Sequence, residues 1–360
     1  MAKRRVQDSA KSKRKTRRMQ RIDERRKRKT SEIAFIPLNK ENQRQVYSVI
    51  LRRLEENCGA RKLFSKVDLR SVGTFYILNQ KKDFVDLFNI DNWVEFKQLP
   101  VEGKTGHTGS RFKEFFELIV LDPETLDQHV FALKIVRPAV QELREGGEEI
   151  EHAHFFEREG IQVEKPFGYI FFEPAGLFSI FEKYETKTLL LARKGDIMPL
   201  MEAARQLGVL LRKGYSMKDI GIKHVFVSEH PETGEQKFER FFDFEFAHRL
   251  SSIPNVRESF NDIVRFLDSA ITYRAVKNFN ELSRILDEFV DPAFRNVPGY
   301  GRKIYPEIKK QVFLLLQESL KSVEFQELTP SHFEEFPVRE NQPHIREILI
   351  GINRFLKENK

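Results

Sequence analysis

The chain of 360 residues carries 62 Lys or Arg against 54 Asp or Glu, with 33 phenylalanines and a single cysteine, Cys58. One thiol excludes an internal disulfide and fits a reducing compartment, and no apolar run reaches the roughly 18 residues that a membrane-spanning helix needs. The charged opening has no apolar stretch behind it and is not read as a secretory signal, so a cytoplasmic protein, peripheral on a membrane surface at most, is expected.

The net charge of +8 combines two opposite contributions. Residues 1–30 hold 15 Lys or Arg against 3 Asp or Glu, a net of +12, while the other 330 residues hold 47 against 51, a net of −4. A segment of such like charge has too little apolar surface to fold alone, so 1–30 is expected to be a disordered basic tail. Its charge suits an anionic membrane surface and nucleic acid alike. The lack of interleaved aromatics for base stacking favours the lipid.

Residues 39–57 follow helical spacing. Asn39 is placed to cap the start, and Tyr47, Ile50, Leu51 and Leu54 share a face before Cys58-Gly59 ends it. Residues 60–92 read as further short helices, making 31–92 a helical N-terminal extension. From Trp93 the period changes. "NWVEFKQL", the glycine-rich "PVEGKTGHTGS", "RFKEFFELIVL", the turn "DPETLDQ" and "HVFALKIV" form three strands of an antiparallel meander. "AVQELREGGEEIEHAHFFEREG" is largely helical up to Gly160, and "GYIFF" and "GLFSIFEKY" are two more strands. "MPLMEAARQLGVLLRKG" is an amphipathic helix with Leu200, Ala204, Leu207 and Leu211 in register and Gly214 as its stop. From about Ser251 the chain is mostly helical, its pieces separated by prolines.

Phosphoryl transfer from ATP needs a cation for the phosphates, carboxylates for Mg²⁺ and an acid to orient the attacking hydroxyl. Lys134 in "FALKIV" follows the loop containing Gly103, Gly106 and Gly109, whose backbone N–H groups can approach phosphate; the spacing is neither a P-loop nor the usual kinase pattern. A glutamate on the next helix is expected to pair with Lys134. Glu142, Glu145, Glu148, Glu149, Glu151 and Glu157 compete for this role, with Glu149 favoured because it shares a face with Ala153 and Phe156, and Glu151 its main rival. In "MKDIGIKHVFV", Asp219 suits a hydroxyl-orienting acid or general base, and His224 closes the same loop. Asp243 in "FERFFDFEFAHR" is placed in the second of two strands, where its carboxylate suits a hard cation.

These segments resemble those of protein kinases. "FALKIV" is similar to the V-A-I-K strand, "MKDIGIKH" to the H-R-D-x-x-x-x-N catalytic loop and "FDFE" to the D-F-G segment. A closer resemblance, over roughly residues 93–270, is to the lipopolysaccharide core heptose and Kdo kinases. Their catalytic loop resembles H-R-D-F-Y-I-C-H-F-L-L and their metal segment I-D-L-x-R-A. The resemblance implies an α+β, bilobal protein-kinase-like fold, with an antiparallel sheet in an N-lobe at 93–183 and a mainly helical C-lobe at 184–360. It implies transfer of the ATP γ-phosphate to an inner-core sugar hydroxyl at the cytoplasmic face of the inner membrane. Lys134 would bind phosphates, Glu149 would position it, Asp219 would orient the hydroxyl, and His224 and Asp243 would hold magnesium. Met217 departs from the family's histidine, and the first 92 residues exceed its usual length. Two alternatives remain open: an atypical kinase with a protein or nucleic-acid-associated acceptor, and a nucleotide-binding pseudokinase scaffold.

Overall fold

The computed structural model describes residues 40–59, 62–69, 73–89, 92–98, 115–136, 148–172, 176–183, 187–188, 196–244, 246–250, 256–298, 304–321 and 342–359. Gly103, Gly106, Gly109, the basic tail, and Glu142 and Glu145 of the predicted helix lie outside them. The chain divides into two compact units, Met1–Val49 and Ile50–Lys360. The first is described only over the opening of helix α1, Lys40–Glu56; all that follows concerns the second.

A seven-stranded sheet organises the first part of that unit. Its strands are β1 (Phe64–Asp68), β2 (Gly73–Leu78), β3 (Trp93–Gln98), β4 (Phe115–Leu121), β5 (Gln128–Ile135), β6 (Pro166–Phe172) and β7 (Gly176–Glu182). They lie in the order β1-β2-β6-β7-β5-β4-β3, and every neighbouring pair is antiparallel. The meander predicted from Trp93 is present as β3-β4-β5. The short helices predicted over 60–92 are not. Two strands stand there, followed by a 3-10 segment at Asn79–Phe88, and the sheet begins at Phe64 rather than Trp93. The reason is packing: Phe75, Ile77, Leu87 and Phe88 belong to the same core as Phe131, Phe167, Ile170 and Phe178. Pairing with β6 also places Gly168 so close that a Cβ there would come within 2.1 Å of the Tyr76 carbonyl oxygen. Only glycine allows that approach.

Helix α2 (Glu149–Arg158) buries Ile150, Ala153 and Phe156 and ends at Gly160, whose φ is +79°. After β8 (Lys187–Thr188) comes α3 (Met198–Arg212), with Leu200, Ala203, Ala204, Leu207 and Leu210 buried. Leu210, not Leu211, completes its inner face. Gly214, at φ +79°, stops this helix as predicted and turns the chain into the short strand β9 (Tyr215–Ser216). Strands β10 (Val225–Glu229) and β11 (Gln236–Phe241) form a hairpin, and β12 (His248–Arg249) pairs with β9. Helices α4 (Val256–Thr272), α5 (Phe279–Phe294), α6 (Ile304–Lys321) and α7 (Pro343–Glu358) complete the chain. Two of the prolines expected to separate helices lie inside them: Pro292 in α5, and Pro306 in the first turn of α6, where no intrahelical N–H bond is lost. Among the described residues no helix is long and apolar enough to cross a membrane.

Candidate active site

The site is assembled from three places: the inner end of the sheet with α2, the loop between β9 and β10, and the turn after β11. Lys134 on β5 is 6% exposed, and its ammonium lies 2.7 Å from Glu149 Oε1 at the start of α2. Ser179 Oγ on β7 donates to the other oxygen of Glu149 at 3.2 Å, and the Phe181 ring lies 4.7 Å from the ammonium. Glu149 is thus the helix carboxylate that meets Lys134. Its rival Glu151 faces elsewhere, accepting from the Tyr169 hydroxyl at 2.6 Å and pairing with Arg53 at 3.1 Å. Arg53 also pairs with Glu148, at 3.3 Å.

A second carboxylate at Lys134, which periodicity gave no reason to single out, belongs to this group. Glu164 lies in the link between α2 and β6, 5% exposed, with Oε2 at 3.5 Å from Lys134 Nζ. Its backbone N–H donates to the Phe241 carbonyl at 2.8 Å, which ties the link to the end of β11. Burial pushes the Glu164 carboxyl up to about 7, against the pull of Lys134. Burial likewise disfavours the Lys134 ammonium, but Glu149, Glu164 and Asp243 together outweigh it, and the lysine stays charged well above the usual range.

Asp243 lies two residues beyond the end of β11, not within a strand. It adopts a left-handed backbone with φ +69°, so the chain leaves the ladder and turns the carboxylate towards the site. Oδ2 lies 3.6 Å from His224 Nε2. The Phe242 N–H donates to the His224 carbonyl at 3.2 Å, fixing the two segments to each other. Phe244, fully buried, meets the Phe156 ring of α2 edge-on at 5.7 Å, so the turn is packed against the helix that carries Glu149.

The loop carrying Asp219 is held by one face of α4. Asp262, Arg265 and Ser269, spaced three and four residues apart, all reach it. Asp262 accepts from Ser216 Oγ at 2.9 Å and from the backbone N–H groups of Met217 at 2.7 Å and Lys218 at 2.9 Å. Burial raises the Asp262 carboxyl against these bonds. Ser269 Oγ accepts from the Ile222 N–H at 3.1 Å, and Arg265 Nη1 lies 3.3 Å from Asp219 Oδ1. Met217, fully buried, is therefore tethered through its backbone; the loop is braced from α4 and not by a polar side chain at 217. Lys218, with φ +60°, joins Asp243 among the few non-glycine residues in the left-handed region. Strain of this kind clusters where side-chain direction matters for function.

Among the described residues no group of three or more His, Cys, Asp or Glu is placed to hold a metal ion. Magnesium does not need one, since it keeps several waters and binds through one or two protein oxygens plus substrate phosphates. The Asp243 carboxylate fits that habit. The His224 nitrogen is a softer donor, and its 3.6 Å separation from Asp243 suits it equally to steadying that carboxylate. ATP fits the Lys134–Glu149 arrangement, a buried ammonium already oriented by a carboxylate.

The antiparallel sheet with its lysine strand and paired helix glutamate, followed by a braced aspartate loop, a second aspartate turn and a helical remainder, is a protein-kinase-like fold. No protein-family model matches the chain, and no curated protein does. Among solved structures it is similar to the PAN3 pseudokinase of Neurospora crassa, at 12% identity over 75% of this chain and 64% of that one, with a TM-score of 0.34. It is also similar to the Rio2 kinase of Chaetomium thermophilum in its ADP/Mg²⁺-phosphoaspartate complex, at 13% identity over 88% and 86% of the two chains, with a TM-score of 0.33. The chain spans just under two thirds of the PAN3 pseudokinase's length. Similarity this low carries no weight for activity.

Proposed function

We propose that the protein is an ATP-dependent phosphotransferase acting on an alcohol group, with a heptose or Kdo hydroxyl of lipopolysaccharide inner core as acceptor. The observation that carries the phosphotransferase reading is the buried Lys134–Glu149 pair standing in the field of Asp243, whose turn is tied to the end of the Asp219 loop at His224. Bound Mg²⁺-ATP supplies the transferable γ-phosphoryl group and a counter-charge for it. Lys134 holds phosphate oxygens, and Glu149 and Ser179 keep its ammonium in place. Asp243 offers carboxylate oxygen to the metal, with His224 beside it as co-ligand or support. Asp219 would orient the acceptor hydroxyl and take its proton as the new P–O bond forms and the bond from the γ-phosphorus to the bridging oxygen breaks, leaving that oxygen on ADP.

The acceptor is inferred from the resemblance of "MKDIGIKHVFV" and "FDFEFAHR" to the core kinases. Exposed Lys218, and Arg265 at 3.3 Å from Asp219, suit an anionic acceptor such as that glycolipid. The basic tail would hold the protein at an anionic membrane surface at the cytoplasmic face of the inner membrane. A second reading, a nucleotide-binding scaffold without turnover, is favoured by the same Arg265 contact, which engages the carboxylate that catalysis would use.

The test is Mg²⁺-dependent transfer from γ-labelled ATP to deacylated lipopolysaccharide core. Wild type should label the sugar, and Asp219→Asn should lose a hundredfold or more, on the order of a general base's usual contribution. Nucleotide binding without any transfer moves the assignment to the scaffold; transfer to a protein or RNA-bound acceptor alone removes the glycolipid. In the same preparation, deleting residues 1–30 should abolish binding to vesicles containing anionic lipid. Loss of nucleic-acid binding instead would give the tail a different partner.

A further inference from the structure

Lys134 is surrounded by more negative charge than one pairing requires. Glu149 Oε1 lies at 2.7 Å and Glu164 Oε2 at 3.5 Å, and all three side chains are at most 8% exposed. Asp243 acts on the same ammonium. Glu149 is engaged through both oxygens, by Lys134 and by Ser179. Glu164 is different: Oε2 makes no hydrogen bond and meets the lysine only through the longer ion pair. Its main chain is fixed. The Glu164 N–H is bonded to the Phe241 carbonyl at 2.8 Å, and the Phe241 N–H to the Gln162 carbonyl at 2.9 Å, so the backbone on either side of Val163 is clamped to β11.

A nucleotide's phosphates bring several negative charges to this ammonium, and in a buried site like charges repel far more strongly than in water. Glu149 is already neutralised by short contacts. The excess carboxylate is the one an incoming phosphate must compete with. On the reading of this site as a nucleotide site, we propose that Glu164 is a positioning residue that holds Lys134 back from the phosphates until a divalent cation offsets its charge. Nucleotide binding is thereby made dependent on the metal. Charge at position 164, rather than shape, sets the affinity for metal-free nucleotide.

The experiment is equilibrium binding of a fluorescent ADP analogue to the full chain, in Mg²⁺ and in EDTA, at pH 8.5, where a carboxyl held at about 7 is ionised. Glu164→Gln keeps the shape and removes the charge. It should bind the analogue in EDTA about tenfold more tightly than wild type, on the scale expected for one charge at this distance in a partly screened interior, and gain correspondingly less from Mg²⁺. Glu164→Asp keeps the charge on a shorter side chain and should retain the wild-type metal dependence. Equal EDTA affinities for wild type and Glu164→Gln overturn the proposal, as does an Asp variant that behaves like the Gln variant, since shape would then be in control. Wild type that binds the analogue in neither buffer overturns the nucleotide reading itself, which is a separate result. Should Glu164→Gln fail to melt cooperatively, Glu164→Met carries the same comparison.

Discussion

His154 shows how far burial alone can set the state of a side chain in this protein. It is 5% exposed, and its Nδ1 lies 2.6 Å from Gln80 Nε2. The amide nitrogen can only donate, so Nδ1 accepts and the proton of the neutral ring is on Nε2. Burial first, then Arg158 and Lys81, push its pKa down to about 4. A depressed histidine contributes stability that is fully present above its unfolded value near 6.5 and is lost as pH falls through the window down to about 4. Unfolding free energy should therefore drop by about 1–2 kcal/mol between pH 7.5 and pH 5 on this account. His154→Gln should flatten that part of the profile in urea titrations, and an unchanged acid slope in the variant would assign the loss to other groups. At this scale the pairing of Lys134 with Glu149 was legible, because helical spacing separated Glu149 from Glu151; the turn that carries Asp243 past the end of its strand was not. Glu164 was not legible, because "IQVEKPF" has no period to say which way its acid points. With Gln162 and Lys165 on either side, the acid reads as part of a solvated link.

Helix α4 acts as a single bracket for the Asp219 loop. Its Asp262 carboxylate takes three donors from the loop within 2.9 Å, two of them backbone N–H groups, of which that of Lys218 is shared with Ser216 Oγ at 3.0 Å. Asp262→Ala should cost about 2–4 kcal/mol, from charge-assisted bonds lost and donors left unpaired. It should reduce phosphoryl transfer strongly while leaving nucleotide affinity nearly unchanged, because Lys134 and Asp243 are held elsewhere. Hydrogen exchange at Met217 and Lys218 reads the loop directly. Exchange rates identical to wild type, with transfer intact, would show that the bracket is not what fixes Asp219. The helix itself was expected from the sequence; its grip was not, since an acid on the inner face of an amphipathic helix is visible only once the partner loop is known. The same limit applied to β1 and β2. "FSKVD" and "GTFYIL" are short; they pair with each other, but what fixes them in the sheet is the pairing of β2 with β6, Gly73–Ile77 against Gly168–Phe172, far along the chain. Runs this short carry no period to distinguish them from helical fragments.

Those two strands decide what the molecule needs in order to fold. If residues 31–92 were an appendage, a chain beginning at Trp93 would retain the whole sheet. Instead it would lose β1, β2 and the 3-10 segment, taking Phe75, Ile77, Leu87 and Phe88 out of a core they share with Phe131, Phe167 and Phe178. It would also leave the β6 edge, Gly168–Phe172, without its hydrogen-bonding partner. An exposed apolar edge of that kind pairs with other chains, and each missing phenylalanine removes burial worth about 3–5 kcal/mol in comparable cores. Total stabilities of about 5–15 kcal/mol cannot absorb such losses. The chain from 93 to 360 should therefore aggregate or unfold without cooperativity, whereas the chain from 40 to 360, which keeps every strand of the sheet, should melt in one transition. A soluble 93–360 fragment with a sharp melt and an undiminished urea m-value would show that the strands before Trp93 are dispensable. The geometry argues the reverse: the lysine strand β5 sits inside a sheet completed on its far side by β1 and β2, and the position of Lys134 depends on them.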